Sequence, residues 1–263
     1  MEEAAWPRGE RVQLAQAALV AVLVGVAALG WLLTGDRMAG MDMGPGTELG
    51  SLGFYVSVWV AMMAAMMLPS AAPMVVAHSA VERRRRELGR DSRRGGASAF
   101  VGGYLLVWTA FGVVAYVIFE LLRSLDVEAL AWNRDGPYVA AAVIAVAAIY
   151  QLSPLKDACL AKCRSPLAFV VGSWRAGRLG AIRMGIEHGA WCVGCCWGLM
   201  ATLFAVGVMS ITWTVVIAVL VASEKLLPWA RVANLGVAVL LIVLAVGVAV
   251  APEQVPELTI PRG

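Results

Sequence analysis

The chain has 263 residues, 60% of them hydrophobic and 15% charged, with a formal net charge of +3. Soluble domains average about 45–50% apolar residues, so this composition excludes an ordinary water-soluble globule. It points instead to an all-α fold, a polytopic transmembrane helix bundle.

Apolar runs near the roughly 20 residues needed to cross a bilayer recur seven times: 12–33, 53–77, 98–122, 137–152, 184–209, 211–227 and 232–251. The fourth and sixth are the least pronounced, so six spans is the alternative count. Backbone polar groups in hydrocarbon must be satisfied locally, and these runs lack the alternation of barrel strands, so helices are expected. The expected organisation is a cytoplasmic N-terminus (1–11), one bundle (12–251) with cytoplasmic loops near 78–97 and 153–183, and an extracytoplasmic tail (252–263). Run 12–33 is longer than a signal-peptide core and has no clear small-residue cleavage site, so it reads as an anchor.

The loop after it, "DRMAGMDMGPG", offers Met38, Met41 and Met43 beside Asp42. Thioethers stay usable in an oxidising compartment, where clustered thiols tend to pair. These residues are candidates for capturing a soft metal; a flexible linker is the competing reading.

The second run carries "WVAMMAAMMLPSAAPMVVAH". Met62 with Met66, and Met63 with Met67, are four-residue pairs, and an ideal helix would bring Met63, Met67, Ser70, Met74 and His78 within about 80° of arc. Pro69 and Pro73 are expected to distort that arc. Methionine stripes often only fill core space, but four methionines in six residues is dense. Neutral thioethers select Cu(I).

"ERRRRELGRDSRR" follows at 82–94. Lys and Arg accumulate on cytoplasmic loops, and with the N-terminus inside only Arg37, Arg123, Arg134 and Arg262 fall outside. The run therefore reads as a topology determinant against anionic lipid. It has no aromatic interleaving or accompanying fold for nucleic acid.

Between 153 and 183 lie "DACLAKC" and "PLAFVVGSW", the interval being able to hold a short helix along the cytoplasmic face. Cys159 and Cys163 would share a helical face, although the spacing is not that of a zinc knuckle.

The fifth run contains "HGAWCVGCCWGLM". Counted from Glu187 on an ideal helix, His188 falls at about 100°, Cys192 at about 140°, Cys195 at about 80° and Cys196 at about 180°. One face would carry an imidazole and up to three sulfurs, ligands suited to Cu(I), with Zn(II) the alternative. Buried cysteine also packs well as a small apolar residue, and that alternative stays open. Gly185, Gly189, Gly194 and Gly198 would let a neighbouring helix approach closely. All five cysteines lie in the membrane or on its reducing side, where no disulfide framework is expected.

Glu187 precedes His188, and Glu224 with Lys225 closes the sixth run. Intramembrane charges face a partner or a cavity. For Glu224 the expectation is a helix-packing ion pair, with a proton or metal role behind it.

"WVAMMAAMMLPSAAPMV", "YQLSPLKDACLAKCRSPL", "GIEHGAWCVGCCWGLM" and "EKLLPW", in that order, resemble an uncharacterised bacterial family of predicted metal-binding integral membrane proteins, a domain of unknown function. The resemblance runs from about 53 to 251. It implies a multi-span metal-binding bundle, with ligands mapping onto Met62, Met63, Met66, Met67, Cys159, Cys163, His188, Cys192, Cys195 and Cys196. The methionine pairs are also similar in ligand chemistry, not in fold, to those of eukaryotic copper importers.

The order of sites, methionines first and cysteines last, makes a gradient of rising Cu(I) affinity directed inward. The expected function is Cu(I) acquisition or transport by a protein that is not an enzyme, there being no nucleotide loop or catalytic triad. A membrane copper chaperone, or an accessory subunit for a cuproenzyme, is the second hypothesis. A thiol redox protein using Cys195 and Cys196 is the third, disfavoured because adjacent helical cysteines point about 100° apart. The expected partners are the metal ion and the bilayer, with a cuproenzyme, a copper chaperone or a second copy of the chain as further partners, and no nucleic acid.

Overall fold

The computed structural model describes residues 8–38, 49–90, 95–124 and 135–255. Every regular element among them is helical: α1 (Arg8–Met38), α2 (Leu52–Glu87), α3 (Gly96–Ser124), α4 (Gly136–Gln151), α5 (Pro154–Cys163), α6 (Pro166–Gly172), α7 (Gly177–Val206), α8 (Ile211–Leu226) and α9 (Ala230–Val250), then a single 3-10 turn at Pro252–Gln254.

Five of these, α1, α2, α3, α7 and α9, are long and apolar enough to cross a membrane. The seven expected spans narrow accordingly. The fourth breaks after α4, which meets α5 at 68°, and the two count as a sixth span only if the bent pair is taken together. Pro154 explains the bend: a residue before proline is pushed out of the helical region, and Ser153 adopts φ −80, ψ 145. The Ser153 hydroxyl then caps α5 by accepting from the Lys156 amide. The sixth expected span, α8, has only 16 residues.

The interval expected to carry one surface helix holds two, and α5 is not a surface element. It packs along α7 with Lys156, Cys159 and Leu160 buried. The second run likewise does not stop at Ala77. Helix α2 continues through Pro69 and Pro73 to Glu87 and is the most buried of the five long helices.

Small residues let the other helices close on α7. A methyl on Gly185 would overlap the Phe100 carbonyl of α3, and one on Gly103 would overlap the Ile182 carbonyl of α7, so the α3–α7 backbones touch at two reciprocal points. On another side of α7, Gly198 rests on Ala147 of α4 and Gly194 on Cys159 of α5. The glycines expected to permit close approach thus serve three different neighbours. Around this centre α9 exposes Val239, Leu240, Val243 and Val246, an outward apolar face suited to lipid.

Candidate metal centre

Helix α7 supplies three thiols. The Sγ atoms of Cys192, Cys195 and Cys196 all lie within 4.8 Å of one another and all three residues are buried. Two of them are oriented by their own helix: the Cys195 and Cys196 thiols reach back to the Cys192 carbonyl at 3.1 Å and 2.8 Å. A fourth sulfur arrives from α5, with Cys163 Sγ 3.9 Å from Cys195 Sγ.

These separations suit a metal. At metal–sulfur bonds of about 2.3 Å, two sulfurs on one ion stand roughly 3.7–4.6 Å apart as the geometry opens from tetrahedral to linear. Thiolates are soft donors for Cu(I), Zn(II) and related ions. All five cysteines are free thiols.

The structure separates the two α5 cysteines. Cys163 faces the thiols of α7, whereas Cys159 packs under Gly194, where a methyl would stand 2.8 Å from its sulfur. Tyr150 donates to the Gly194 carbonyl at 2.5 Å, closing that side of the helix. Arg164, next to Cys163, grips the end of α8 by donating to the carbonyls of Glu224 and Leu227, both at 2.5 Å. Carbonyls left unpaired at a helix C-terminus attract such cations. The clamp ties the fourth thiol to α8.

Two residues that the sequence reading did not place at a site touch Cys192. Tyr104 Oη of α3 is 3.0 Å from its sulfur, and Lys225 Nζ of α8 donates to it at 2.9 Å. The same ammonium lies 3.5 Å from Ser70 Oγ and 3.9 Å from Met67 Sδ on α2. Lys225 was legible as an intramembrane charge, a default pointer to function. Nothing in its sequence context distinguishes Tyr104 from any aromatic residue of an apolar span.

The methionine stripe divides. Met62, Met63, Met66 and Met67 belong to one contiguous buried cluster with Cys159, Cys192, Cys195 and Cys196. Met62 Sδ accepts from Thr214 Oγ1 of α8 at 3.7 Å. Met38 is buried in this same cluster. Met74 lies in a separate one with Phe100, Phe169 and Met184. His78 stacks on Trp174 and meets the tilted ring of Phe100, both at 5.3 Å between ring centroids. Met41, Asp42 and Met43 lie outside the described residues.

His188 does not join the thiols in one tight group. Its ring sits among Tyr104 and Phe169, each at 5.5 Å, and Phe100 at 5.8 Å, and its Nδ1 has no hydrogen-bond partner among the described residues. Sharing a helical stripe placed it one turn from Cys192, but the aromatic rings of α3 and α6 claim the imidazole.

Neither glutamate faces the sulfurs. Glu224 forms the expected ion pair, with its partner Lys156 of α5 at 2.6 Å, both side chains buried; Lys156 also donates to Gln151. Glu187 turns to Arg175 at 3.2 Å and Ser173 at 3.1 Å on a more exposed surface.

A helical bundle with five membrane-length helices among the described residues and a cluster of three buried thiols beside buried thioethers fits a metal-binding membrane protein. The family described as PpoB2, copper chaperone, matches residues 56–248. The chain belongs to that family, in keeping with the uncharacterised metal-binding family its motifs resemble. No curated protein and no solved structure matches it.

Proposed function

We propose that the protein acquires Cu(I) in the bacterial cytoplasmic membrane and holds it in a sulfur centre for handover, as a binding protein and not an enzyme. The observation that carries this reading is the convergence of the Cys192, Cys195 and Cys196 thiols of α7 within 4.8 Å of one another, with Cys163 of α5 reaching 3.9 Å from Cys195. The thioethers of Met62, Met63, Met66 and Met67 in the same buried cluster supply a neutral, lower-affinity approach to the thiolates. Membership of a copper chaperone family supports copper over zinc and handover over free flux. A cuproenzyme or a soluble copper carrier would then receive the ion.

The test is metal content and Cu(I) competition on the purified protein in detergent. Wild type is compared with a Cys192→Ser, Cys195→Ser, Cys196→Ser triple variant. Wild type is expected to retain Cu(I) against a chelator that strips the variant. Equal retention by the two, or none by wild type, overturns the reading. Copper accumulation in proteoliposomes then separates the two modes: uptake into the lumen favours transport, and stoichiometric binding without uptake favours the chaperone.

A further inference from the structure

We propose that Lys225 makes the sulfur centre selective for a monovalent over a divalent soft cation, an inference that rests on the thiols being the cargo site. Lys225 is the penultimate residue of α8. A lysine so close to a helix end ordinarily extends its ammonium outward to the membrane interface. This one points inward, to Cys192 Sγ at 2.9 Å, Ser70 Oγ at 3.5 Å and Met67 Sδ at 3.9 Å.

The neighbouring charges are otherwise engaged. Glu224 pairs with Lys156 at 2.6 Å, and Arg164 is held by the carbonyls that end α8. Of the three groups that Lys225 contacts, a thioether and a hydroxyl stay neutral, and only the Cys192 sulfur can carry a balancing negative charge. An ammonium turned inward onto a buried sulfur is therefore matched to a thiolate, the form in which cysteine binds metal.

Once a metal is bound, the same ammonium acts on the ion. A metal–sulfur bond of about 2.3 Å added to the contact with Cys192 keeps Nζ no more than about 5 Å from any ion that sulfur holds. For a given set of thiolates, a divalent ion meets one more unit of repulsion from that cation than a monovalent ion does. At an effective dielectric of about 20, one unit charge at this range changes relative affinity by roughly 200-fold. Position next to a ligand sulfur, and not ligand identity alone, disfavours Zn(II).

The experiment measures Cu(I) and Zn(II) affinities by chelator competition, and Ag(I) and Cd(II) as a second, redox-inert pair. The proteins are wild type, Lys225→Met, Lys225→Gln and Lys225→Arg, each checked for helical content and thermal transition. The neutral variants are expected to shift the divalent-to-monovalent affinity ratio roughly 200-fold toward the divalent ion, while Lys225→Arg stays within about threefold of wild type. An unchanged ratio in a folded neutral variant, or an equal shift in Lys225→Arg, overturns the selectivity role. That outcome leaves the copper reading standing if wild type still retains Cu(I); a wild type that binds no Cu(I) removes both.

Discussion

The sulfur of Cys163 on α5 lies 3.9 Å from that of Cys195 on α7, although the two residues are 32 apart in sequence. Two helices are thereby joined at one point by a pair of free thiols. A mild thiol oxidant is expected to link them, giving a cross-linked peptide pair by mass spectrometry. Prior loading with Cu(I) or Ag(I) should protect both sulfurs. Absence of protection would show that the metal, if bound, uses neither.

Gly194 leaves no room for a side chain beneath Cys159. In Gly194→Ala the new methyl would stand 2.8 Å from the Cys159 sulfur, and inserting a methyl into a packed interior costs about 1–3 kcal/mol. The expected relief is a small outward movement of α5, which carries Cys163 away from Cys195. The variant should unfold earlier in a thermal scan and lose the oxidative cross-link. Gly194→Ala with Cys159→Ala should recover most of both.

The Lys156–Glu224 pair has almost no contact with solvent. Removing one member strands the other's charge, at a cost of about 3–5 kcal/mol, whereas replacing both by apolar groups is often neutral or stabilising. Lys156→Met is thus expected to be strongly destabilised in detergent. Lys156→Met with Glu224→Leu should approach wild-type stability. If the double variant is no better than the single one, the pair is not the source of the loss.

Leucine at Met62 and Met67 tests the thioethers apart from packing. Exchanges between Leu and Met usually cost less than about 1.5 kcal/mol, so Met62→Leu with Met67→Leu should fold. If these sulfurs relay Cu(I), loading of the thiols is expected to slow roughly tenfold, the equivalent of about 1.4 kcal/mol. Final stoichiometry, measured by metal analysis at equilibrium, should stay the same. Unaltered loading would assign the two side chains to core filling.

Arg164 holds α8 to the chain segment bearing Cys163. Arg164→Ala removes two short bonds to terminal carbonyls, and hydrogen bonds from charged donors contribute about 1.5–3 kcal/mol each. Fraying of α8 should follow, with faster amide exchange near Glu224 and Lys225 and a lower yield of the Cys163–Cys195 cross-link. Arg164→Lys is expected to restore only part of either signal, because an ammonium lacks the planar fork that serves two carbonyls at once.

Hydropathy alone determined that this chain is a bundle of apolar helices, because the cost of unpaired backbone in lipid leaves long apolar runs no other fold. Periodicity determined that Cys192, Cys195 and Cys196 share a face of α7, since positions three and four apart on a helix meet without help from any neighbour. The Glu224 ion pair was legible for a similar reason, as a charge in that setting must find a partner. What periodicity could not show is which helices meet. Only packing decided that Cys163 and not Cys159 joins the thiols, that His188 goes to an aromatic cluster, and that the methionine stripe of α2 splits between two cores. The bend at Ser153–Pro154 and the turning inward of Lys225 depend on contacts between residues far apart in the chain, and those contacts exist only after α3, α5 and α8 have closed around α7.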